Sequence, residues 1–274
     1  MQVDSHQHFW KYDPVVHEWI DDSMQVIRKD FLPADLKPLL DQAGINACVA
    51  VQADQTEKET NFLLSLAQQN NWIKGVVGWT DLRSSQVEEN LNKYQANKLL
   101  KGFRHVLQGE DPAFMLQPDF LNGIGHLASF GFTYDILIFP KHLDAALALV
   151  EQYPKQPFVL DHLAKPFIKD GLIEGWEQGI RKLAKHPNIS CKVSGMVTEA
   201  DWNNWHEINF IPYLDILVEA FGTKRLMYGS DWPVCQVAAS YEQQLAIPKN
   251  YFKQFSATEQ ADVFGNNATR FYQL

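Results

Sequence analysis

Cysteine is scarce in this chain, and its distribution excludes one class of protein. The 274 residues include three cysteines, which are odd in number and far apart: Cys48, Cys191 and Cys235. A disulfide-stapled scaffold is therefore excluded, and a reducing, cytoplasmic setting is expected. Apolar runs of membrane-spanning length are also missing, as is a basic N-terminal segment followed by an apolar one. We therefore expect a soluble, unprocessed protein.

Positive charge is scarce as well. Lys and Arg number 24 against 33 Asp and Glu, which gives a formal net charge of −9, and no basic cluster occurs. This balance argues against nucleic acid and against an anionic membrane surface as partners. The chain also lacks a Gly-x-Ser-x-Gly motif and a phosphate-binding glycine-rich loop. A serine hydrolase built on an open sheet is therefore disfavoured.

Short apolar runs alternate with helical patterns along the whole chain, at a spacing that suits βα units around a parallel sheet. Strands are predicted at 2–6, 47–52, 74–79, 101–106, 132–137, 157–162, 189–194 and 225–230. Helices are predicted from Pro33 to Gly44, at 57–69 after Thr56, after Ser84, and at 142–153, 174–185, 210–221 and 240–246.

Eight strands, each followed by a plausible helix, predict an α/β fold of the (β/α)8 TIM-barrel type in a single domain, 1–274. An open doubly wound sheet is the alternative, because the prediction of a closed barrel depends on all eight strands being counted correctly. The stretch 9–31 is too long for a simple βα loop and carries Trp10, Tyr12, His17 and Trp19. We predict that it forms a lid or a pocket wall.

Two histidines stand two residues apart at the end of the first predicted strand, in Val3-Asp4-Ser5-His6-Gln7-His8. Side chains alternate along a strand, so His6 and His8 should point the same way. Two imidazoles on one face form half of a metal site, or a pair of hydrogen-bond donors aimed at a substrate.

Six of the eight predicted strands bring an ionisable side chain to the same end. These residues, with Tyr134 and Ser194 beside them, are His6, His8, Arg104, His105, Asp135, Asp161, His162, Lys192 and Asp231. Burying so many charges in an apolar core would be costly, so together they predict the lining of a polar pocket.

Each of these residues also has a structural interpretation. Asp161 is expected to cap a turn or to hold a helix, and His162 could be a satisfied rim histidine. Lys192 could extend outward along its strand. Tyr134 and Asp135 alternate, so only one of them can point into the barrel.

The motifs together resemble a known family. Asp4-Ser5-His6-Gln7-His8-Phe9-Trp10, Leu160-Asp161-His162-Leu163-Ala164-Lys165-Pro166 and Gly229-Ser230-Asp231-Trp232-Pro233 are similar to motifs of the amidohydrolase superfamily, amidohydrolase 2 branch. Within that branch the chain resembles the L-fuconolactonase and L-rhamnonolactonase-like sugar-lactone hydrolases. Supporting stretches such as Lys101-Gly102-Phe103-Arg104-His105 extend the likeness over essentially the whole chain.

The resemblance implies a distorted TIM barrel with the site at the carboxyl ends of the strands. Its site positions match His6, His8, His162 and Asp231. The chain lacks the carboxylated Lys or bridging Glu of two-metal members, so a binuclear centre is not expected. A single Zn²⁺ held by these four residues is sound ligand chemistry, yet the branch also includes metal-independent lactonases. No organic cofactor is expected.

The resulting hypothesis is an esterase-type hydrolase that opens a sugar lactone to the aldonic acid. Asp231 is the predicted general base, and the histidines would polarise the carbonyl directly or through an ion. Substrate contacts are predicted for Arg104, His105, Lys192, Trp10, Trp19 and Tyr134, with Trp79 and Trp232 as further wall residues. The alternatives are a Zn-dependent decarboxylase, or another hydrolase of the branch, acting on a carboxylated substrate, and a non-catalytic ligand-binding barrel. The oligomeric state is open, and a homodimer is compatible with the sequence.

Overall fold

A computed structural model describes all 274 residues, and its centre is one parallel sheet of eight strands in sequence order. The strands are β1 (Val3–Gln7), β2 (Ala47–Val51), β3 (Ile73–Gly78), β4 (Leu100–His105), β5 (Thr133–Ile136), β6 (Phe158–Leu160), β7 (Ile189–Val193) and β8 (Leu226–Tyr228). A parallel bridge between Gln7 and Trp232 links the end of β1 to the residues that follow β8. The barrel is thereby nearly closed, which confirms the (β/α)8 prediction and excludes the open sheet.

Helices separate the strands and cover the outside of the barrel. They are α1 (Pro33–Ala43), α2 (Glu57–Gln69), α3 (Val87–Tyr94), α4 (Pro118–Leu127), α5 (Leu143–Gln152), α6 (Trp176–Leu183), α7 (Ile211–Phe221), α8 (Tyr241–Phe252), α9 (Ala257–Ala261) and α10 (Asn267–Tyr272). Local signals explain several ends: Gly44 ends α1 in a left-handed conformation, and the Thr56 hydroxyl accepts a hydrogen bond from the Glu59 amide. None of the helices has both the length and the apolar character that a membrane span requires.

Helix α4 has no counterpart among the predicted helices, and α8 extends past the predicted end at residue 246. The sequence of α4 contains two glycines, which are weak helix formers. One of them is required by packing, because a Cβ on Gly123 would lie 2.0 Å from the carbonyl oxygen of Leu82. Helix α8 continues through Pro248, where the pattern suggested a stop.

The apolar core has two layers, one on each face of the sheet. The larger layer lies between the strands and the surrounding helices. The smaller one fills the lower interior of the barrel with residues such as Val49, Val77 and Val159, and α10 adds Ala268 and Tyr272 to it from below. Because the lower half is filled with apolar side chains, polar groups inside the barrel are confined to the upper half, where the strands end.

The segment 9–31 packs as a wall beside the upper opening. Trp10 and Phe31 form an antiparallel bridge at its two ends, with backbone N–O distances of 3.0 and 2.9 Å. Ile20 and Ile27 are buried in it, whereas Trp19 keeps 41% of its surface exposed. The role of this segment as a lid stays a prediction.

Candidate active site

His6 and His8 both project into the upper barrel, together with His162 from the end of β6. The centroid of the His6 ring lies 5.0 Å from that of the His8 ring and 4.3 Å from that of the His162 ring. All three side chains are almost fully buried. The alternation of β1 therefore places two imidazoles on one face, and the barrel brings a third from more than half the chain away.

Asp231 lies at the centre of the three imidazoles. Its Oδ1 is 3.3 Å from Nε2 of His8, 3.7 Å from Nε2 of His162 and 3.9 Å from Nε2 of His6. The residue adopts a left-handed conformation, with φ of 56°, and its amide donates to the carbonyl of His6 over 2.8 Å. This backbone bond ties the end of β8 to β1 and aims the carboxylate at the histidines.

The protonation of this cluster follows from burial and from neighbouring charge. Burial opposes the ionisation of Asp231, but its interactions with His162 and His8 outweigh burial, so the pKa of Asp231 lies below its ordinary value. Burial lowers the pKa of His162 and of His6 well below the usual range, and the ammonium of Lys192 adds to the effect at His6. At neutral pH the cluster therefore holds an ionised carboxylate beside the neutral imidazoles of His6 and His162.

Two of the histidines are oriented through their second ring nitrogen. Nδ1 of His8 lies 2.8 Å from the carbonyl oxygen of Val51, and Nδ1 of His162 lies 2.8 Å from the hydroxyl of Ser194. A carbonyl only accepts, so Nδ1 of His8 must be the donor. In neutral His8 the lone pair of Nε2 then faces the carboxylate of Asp231, and a proton or a cation between them would satisfy both.

This donor set fits a single metal ion. Ligand atoms of His6, His8 and Asp231 lie within 4.8 Å of one another, as do those of His6, Asp161 and His162. Neutral imidazoles whose other nitrogen is hydrogen-bonded, together with one carboxylate, are the ligands that Zn²⁺ prefers. His6 is the least available of these ligands, because Nη1 of Arg104 already lies 3.3 Å from its Nε2.

A buried charge cluster, consisting of Arg104, Asp135, Asp161 and Lys192, lies beneath the histidines. Nζ of Lys192 is 2.6 Å from Asp135 and 3.0 Å from Asp161, and Nη1 of Arg104 is 3.1 Å from Asp161. Two cations thus balance two carboxylates, as the burial of charge requires. Asp161 also lies 3.3 Å from Nδ1 of His6, so the cluster supports that imidazole from below.

The buried charge cluster corrects two sequence-based interpretations. Asp161 does not serve as a remote turn cap, because its carboxylate lies in the barrel interior between Arg104 and Lys192. Lys192 does not extend outward, and its side chain is completely buried beneath His6, so it does not line the substrate cavity. Burial raises the pKa of Asp135 to about 6 against the effect of Lys192, and Tyr272 of α10 donates to the same carboxylate over 2.7 Å.

A cavity of about 560 Å³ opens above the cluster, and its lining comes from Arg104 of β4 and from the segments that follow every strand except β3. His8, His162 and Asp231 form part of its floor. Trp19 from the segment 9–31 and Trp202 from the loop after β7 contribute aromatic surface. Its volume and its mixture of apolar walls with a few polar groups suit a small polar organic substrate.

The structure separates the other predicted substrate contacts into two groups. Trp19 and Arg104 line the cavity, although the guanidinium of Arg104 already donates to Asp161 and to the backbone of Gln52. His105 and Tyr134 do not line it, because their strands direct them outward.

The outward residues contact the helical layer. The His105 ring stacks on Phe114 at 4.9 Å, and Tyr134 is fully buried against Phe120 and Phe158. Asp135 therefore takes the inward position on β5. Trp10 and Trp232 are buried behind the wall rather than exposed on it, and Trp79 donates to His105 over 3.3 Å.

Sequence reasoning left two cavity residues, Lys165 and Glu199, out of the proposed lactone site, although it named Lys165 as a candidate basic group for the decarboxylase alternative. Their side chains form an ion pair of 2.8 Å, and each keeps 17% of its surface exposed. Lys165 stands three positions after His162, which was the only available signal. Its orientation depends on a local backbone conformation that no spacing rule predicts.

A (β/α)8 barrel with an ionised aspartate beside three buried histidines at the carboxyl ends of its strands defines a hydrolase-type centre with metal-ligand chemistry. The amidohydrolase family model matches residues 3–274, and the chain belongs to that family.

Curated relatives extend over the full chain. It is 38% identical over 286 residues to an L-fucono-1,5-lactonase of Burkholderia multivorans, with 100% of this chain and 96% of the relative covered. It is 34% identical to an L-fucono-1,5-lactonase of Burkholderia ambifaria, again with 100% and 96% covered. A crystal structure of an amidohydrolase from Burkholderia multivorans with bound Zn is similar at a TM-score of 0.97 and 38% identity, with 100% of this chain and 99% of that chain covered.

Proposed function

We propose that this protein is a hydrolase that opens a sugar lactone to the aldonic acid by attack of water on the ester carbonyl. The observation that supports this most directly is the convergence of His6, His8 and His162 on the Asp231 carboxylate at the floor of the cavity. The likeness to two full-length sugar-lactone hydrolases points to the same reaction. L-fucono-1,5-lactone is therefore the first substrate to test.

Asp231 is the proposed general base. Its carboxylate is ionised at neutral pH, and no protein group donates a hydrogen bond to Oδ2, which leaves that oxygen able to accept a proton from water. As the proton moves to Asp231, the water oxygen forms a bond to the carbonyl carbon and the carbonyl oxygen becomes an oxyanion. The ring C–O bond then breaks, and the proton on Asp231 passes to the departing ring oxygen. The carboxylic acid product ionises and releases one proton to solvent.

The histidines and the buried charge cluster support this step. His8 and His162 are held by Val51 and Ser194 so that their Nε2 atoms face the reacting region. His6 is fixed differently: Nη1 of Arg104 lies 3.3 Å from its Nε2, and a carboxylate oxygen of Asp161 lies 3.3 Å from its Nδ1. Because the rings are fixed before substrate arrives, little reorganisation is needed during the reaction.

A bound metal ion would be held by His6, His8, His162 and Asp231, and it would supply Lewis-acid polarisation of the carbonyl. The donor set supports such an ion, and we propose Zn²⁺ as its identity. The buried free thiols of Cys48, Cys191 and Cys235 support a reducing, cytoplasmic setting. The homodimer stays a prediction.

The test is turnover of a panel of L- and D-aldonolactones, followed by the fall in pH that the released proton causes, with and without chelator. We expect hydrolysis of L-fucono-1,5-lactone and of close stereochemical relatives. Absence of turnover on the whole panel, in protein loaded with Zn²⁺, would contradict the proposal. The decarboxylase alternative has less support, and assaying CO₂ release from aromatic acids in parallel would reveal it.

A further inference from the structure

A left-handed turn, His162–Lys165, follows β6 and carries an ammonium group into the cavity. Four consecutive non-glycine residues there have positive φ: 51° at His162, 57° at Leu163, 57° at Ala164 and 50° at Lys165. Residues with a Cβ rarely adopt this conformation, and almost never in succession, because the Cβ crowds the following carbonyl. Such strain persists only where the surroundings enforce it, and it is concentrated at functional sites.

The surroundings of the turn do enforce it. The indole of Trp176 donates to the carbonyl of Leu163 over 2.6 Å, and the amide of Lys165 donates to the carbonyl of His162 over 2.7 Å. Leu163 and Ala164 are completely buried, so the middle of the turn packs into the core while both of its ends line the cavity. The strained backbone therefore brings Lys165 to the same space as the catalytic imidazole of His162.

The Lys165 ammonium has N–H groups that are not used in hydrogen bonds to the protein. A lysine offers three N–H groups, and the structure gives this one a single hydrogen bond, of 2.8 Å to Glu199. The ammonium also lies over the Phe139 ring, 5.6 Å from the ring centroid. Both members of the ion pair stay partly exposed to the cavity.

Arg104, the other cation at the cavity, is already hydrogen-bonded to protein groups. Its two terminal nitrogens contact Asp161, His6 and Gln52, and its Nε is buried without a partner. The remaining charged groups of the lining are carboxylates, from Glu18, Asp54, Glu199 and Asp231. An anion formed in this cavity would therefore be repelled by most of the wall and attracted by Lys165.

We propose that Lys165 binds the oxygen derived from the lactone carbonyl, first as the oxyanion and then as part of the product carboxylate, and that Glu199 positions the ammonium. The proposal rests on the proposed lactone hydrolysis, which converts an uncharged ester into a singly charged acid. The ammonium interacts more strongly with the charged species than with the bound lactone, and such a difference accelerates the chemical step. Lys165 is then a catalytic residue and Glu199 is a positioning residue.

The test compares Lys165→Met, Lys165→Arg and Glu199→Gln with the wild type. Lys182→Met serves as the control, because Lys182 forms an exposed ion pair with Asp144 on the outer helices. The substrate is L-fucono-1,5-lactone, and the two inhibitors are L-fuconate, which carries the carboxylate, and L-fucitol, which does not. Loss of one charged donor to an oxyanion typically costs on the order of 100-fold in kcat.

For Lys165→Met we expect kcat/KM to fall about 100-fold and the inhibition constant of L-fuconate to rise about 10-fold, while that of L-fucitol stays unchanged. Lys165→Arg should recover part of the loss. Glu199→Gln should lower kcat/KM about 10-fold, because the ammonium is no longer held in place. Lys182→Met should behave as the wild type.

The inference is overturned if Lys165→Met keeps wild-type kcat/KM and L-fuconate inhibition, or if both inhibitors weaken equally. The second outcome would indicate a structural role only. Should Lys165→Met fail to fold by circular dichroism, Lys165→Gln and Glu199→Gln must show the same selective loss of L-fuconate binding. A wild type that hydrolyses no lactone would overturn the proposed function and this inference together. Turnover by the wild type with an unaffected Lys165→Met overturns this inference alone.

Discussion

Asp231 and His8 face each other across the seam where β8 meets β1, with Oδ1 3.3 Å from Nε2, although 223 positions separate them in the chain. The other nitrogen of His8 is held by the Val51 carbonyl at 2.8 Å. The contact therefore joins a negatively charged oxygen to a ring whose orientation is set by a third strand. The proposed base and the proposed metal site both depend on this relationship.

Asp231→Asn should lose most of kcat while the fold is retained. An amide of the same shape keeps the packing but cannot remove a proton from water, and loss of a general base typically costs 10²- to 10⁴-fold, roughly. The measurement is kcat on L-fucono-1,5-lactone, with circular dichroism as the check on folding. Asp144→Asn, on the exposed face of α5, is the control. Unchanged turnover in Asp231→Asn would remove the proposed base.

Gly195→Ala should abolish activity, whereas Gly222→Ala should not. Both glycines have φ of +64°, so alanine strains the backbone in both cases. At Gly195 the new Cβ would also lie 2.6 Å from Nδ1 of His162, but at Gly222 it meets nothing within 4 Å. Thermal unfolding measures how far the backbone strain destabilises each variant, and kcat measures the effect of displacing His162. Equal activity in the two variants would show that His162 need not keep its position.

Glu59→Gln should stabilise the protein at high pH. Burial raises the pKa of Glu59 from 4.5 to about 7, although the amide of Ala53 donates to its carboxylate. The folded state therefore binds this proton more tightly than the unfolded state does. The resulting stability is fully present below pH 4.5 and is lost as the pH rises through about 7, by up to about 3 kcal/mol.

Denaturant unfolding at pH 5 and pH 8 measures this effect. The fall in unfolding free energy between the two pH values should be smaller in Glu59→Gln than in the wild type, because glutamine has no proton to lose. Glu89→Gln, at an exposed position of α3, should leave the difference unchanged. An identical fall in wild type and Glu59→Gln would show that Glu59 titrates normally in the folded protein.

Zn²⁺ should bind at one equivalent per chain and should raise the melting temperature. A ligand that binds only the folded state stabilises it in proportion to the logarithm of its concentration above Kd. His8→Ala should lose both effects, since it removes one of four ligands, whereas His186→Ala should retain them because His186 pairs with Glu151 far from the cavity. Elemental analysis and thermal unfolding are the measurements. Equal metal content in wild type and His8→Ala would exclude His8 as a ligand.

Local sequence patterns were sufficient to predict the strands and most helices of this protein. Short apolar runs predicted all eight strands, and helical patterns with their start and stop signals predicted most helices, because a buried strand is apolar and a helix buried on one face keeps its period in the sequence. The alternation of side chains along a strand placed His6 and His8 on one face. Asp231 could be anticipated too, since parallel strands bring their carboxyl ends to one side of a barrel.

Side-chain direction within adjacent polar pairs depended on the closed barrel. On β4 Arg104 points inward and His105 outward, and on β5 Asp135 points inward and Tyr134 outward. The register of the strands selects one member of each pair, and composition does not reveal the register. Lys192 is stable inside only because Asp135 and Asp161 arrive from other strands to balance its charge. Lys165 reaches the cavity through consecutive left-handed residues, a conformation that core packing imposes against local preference. Long-range contacts therefore determined which polar groups meet, whereas local preferences determined the strands and helices that carry them.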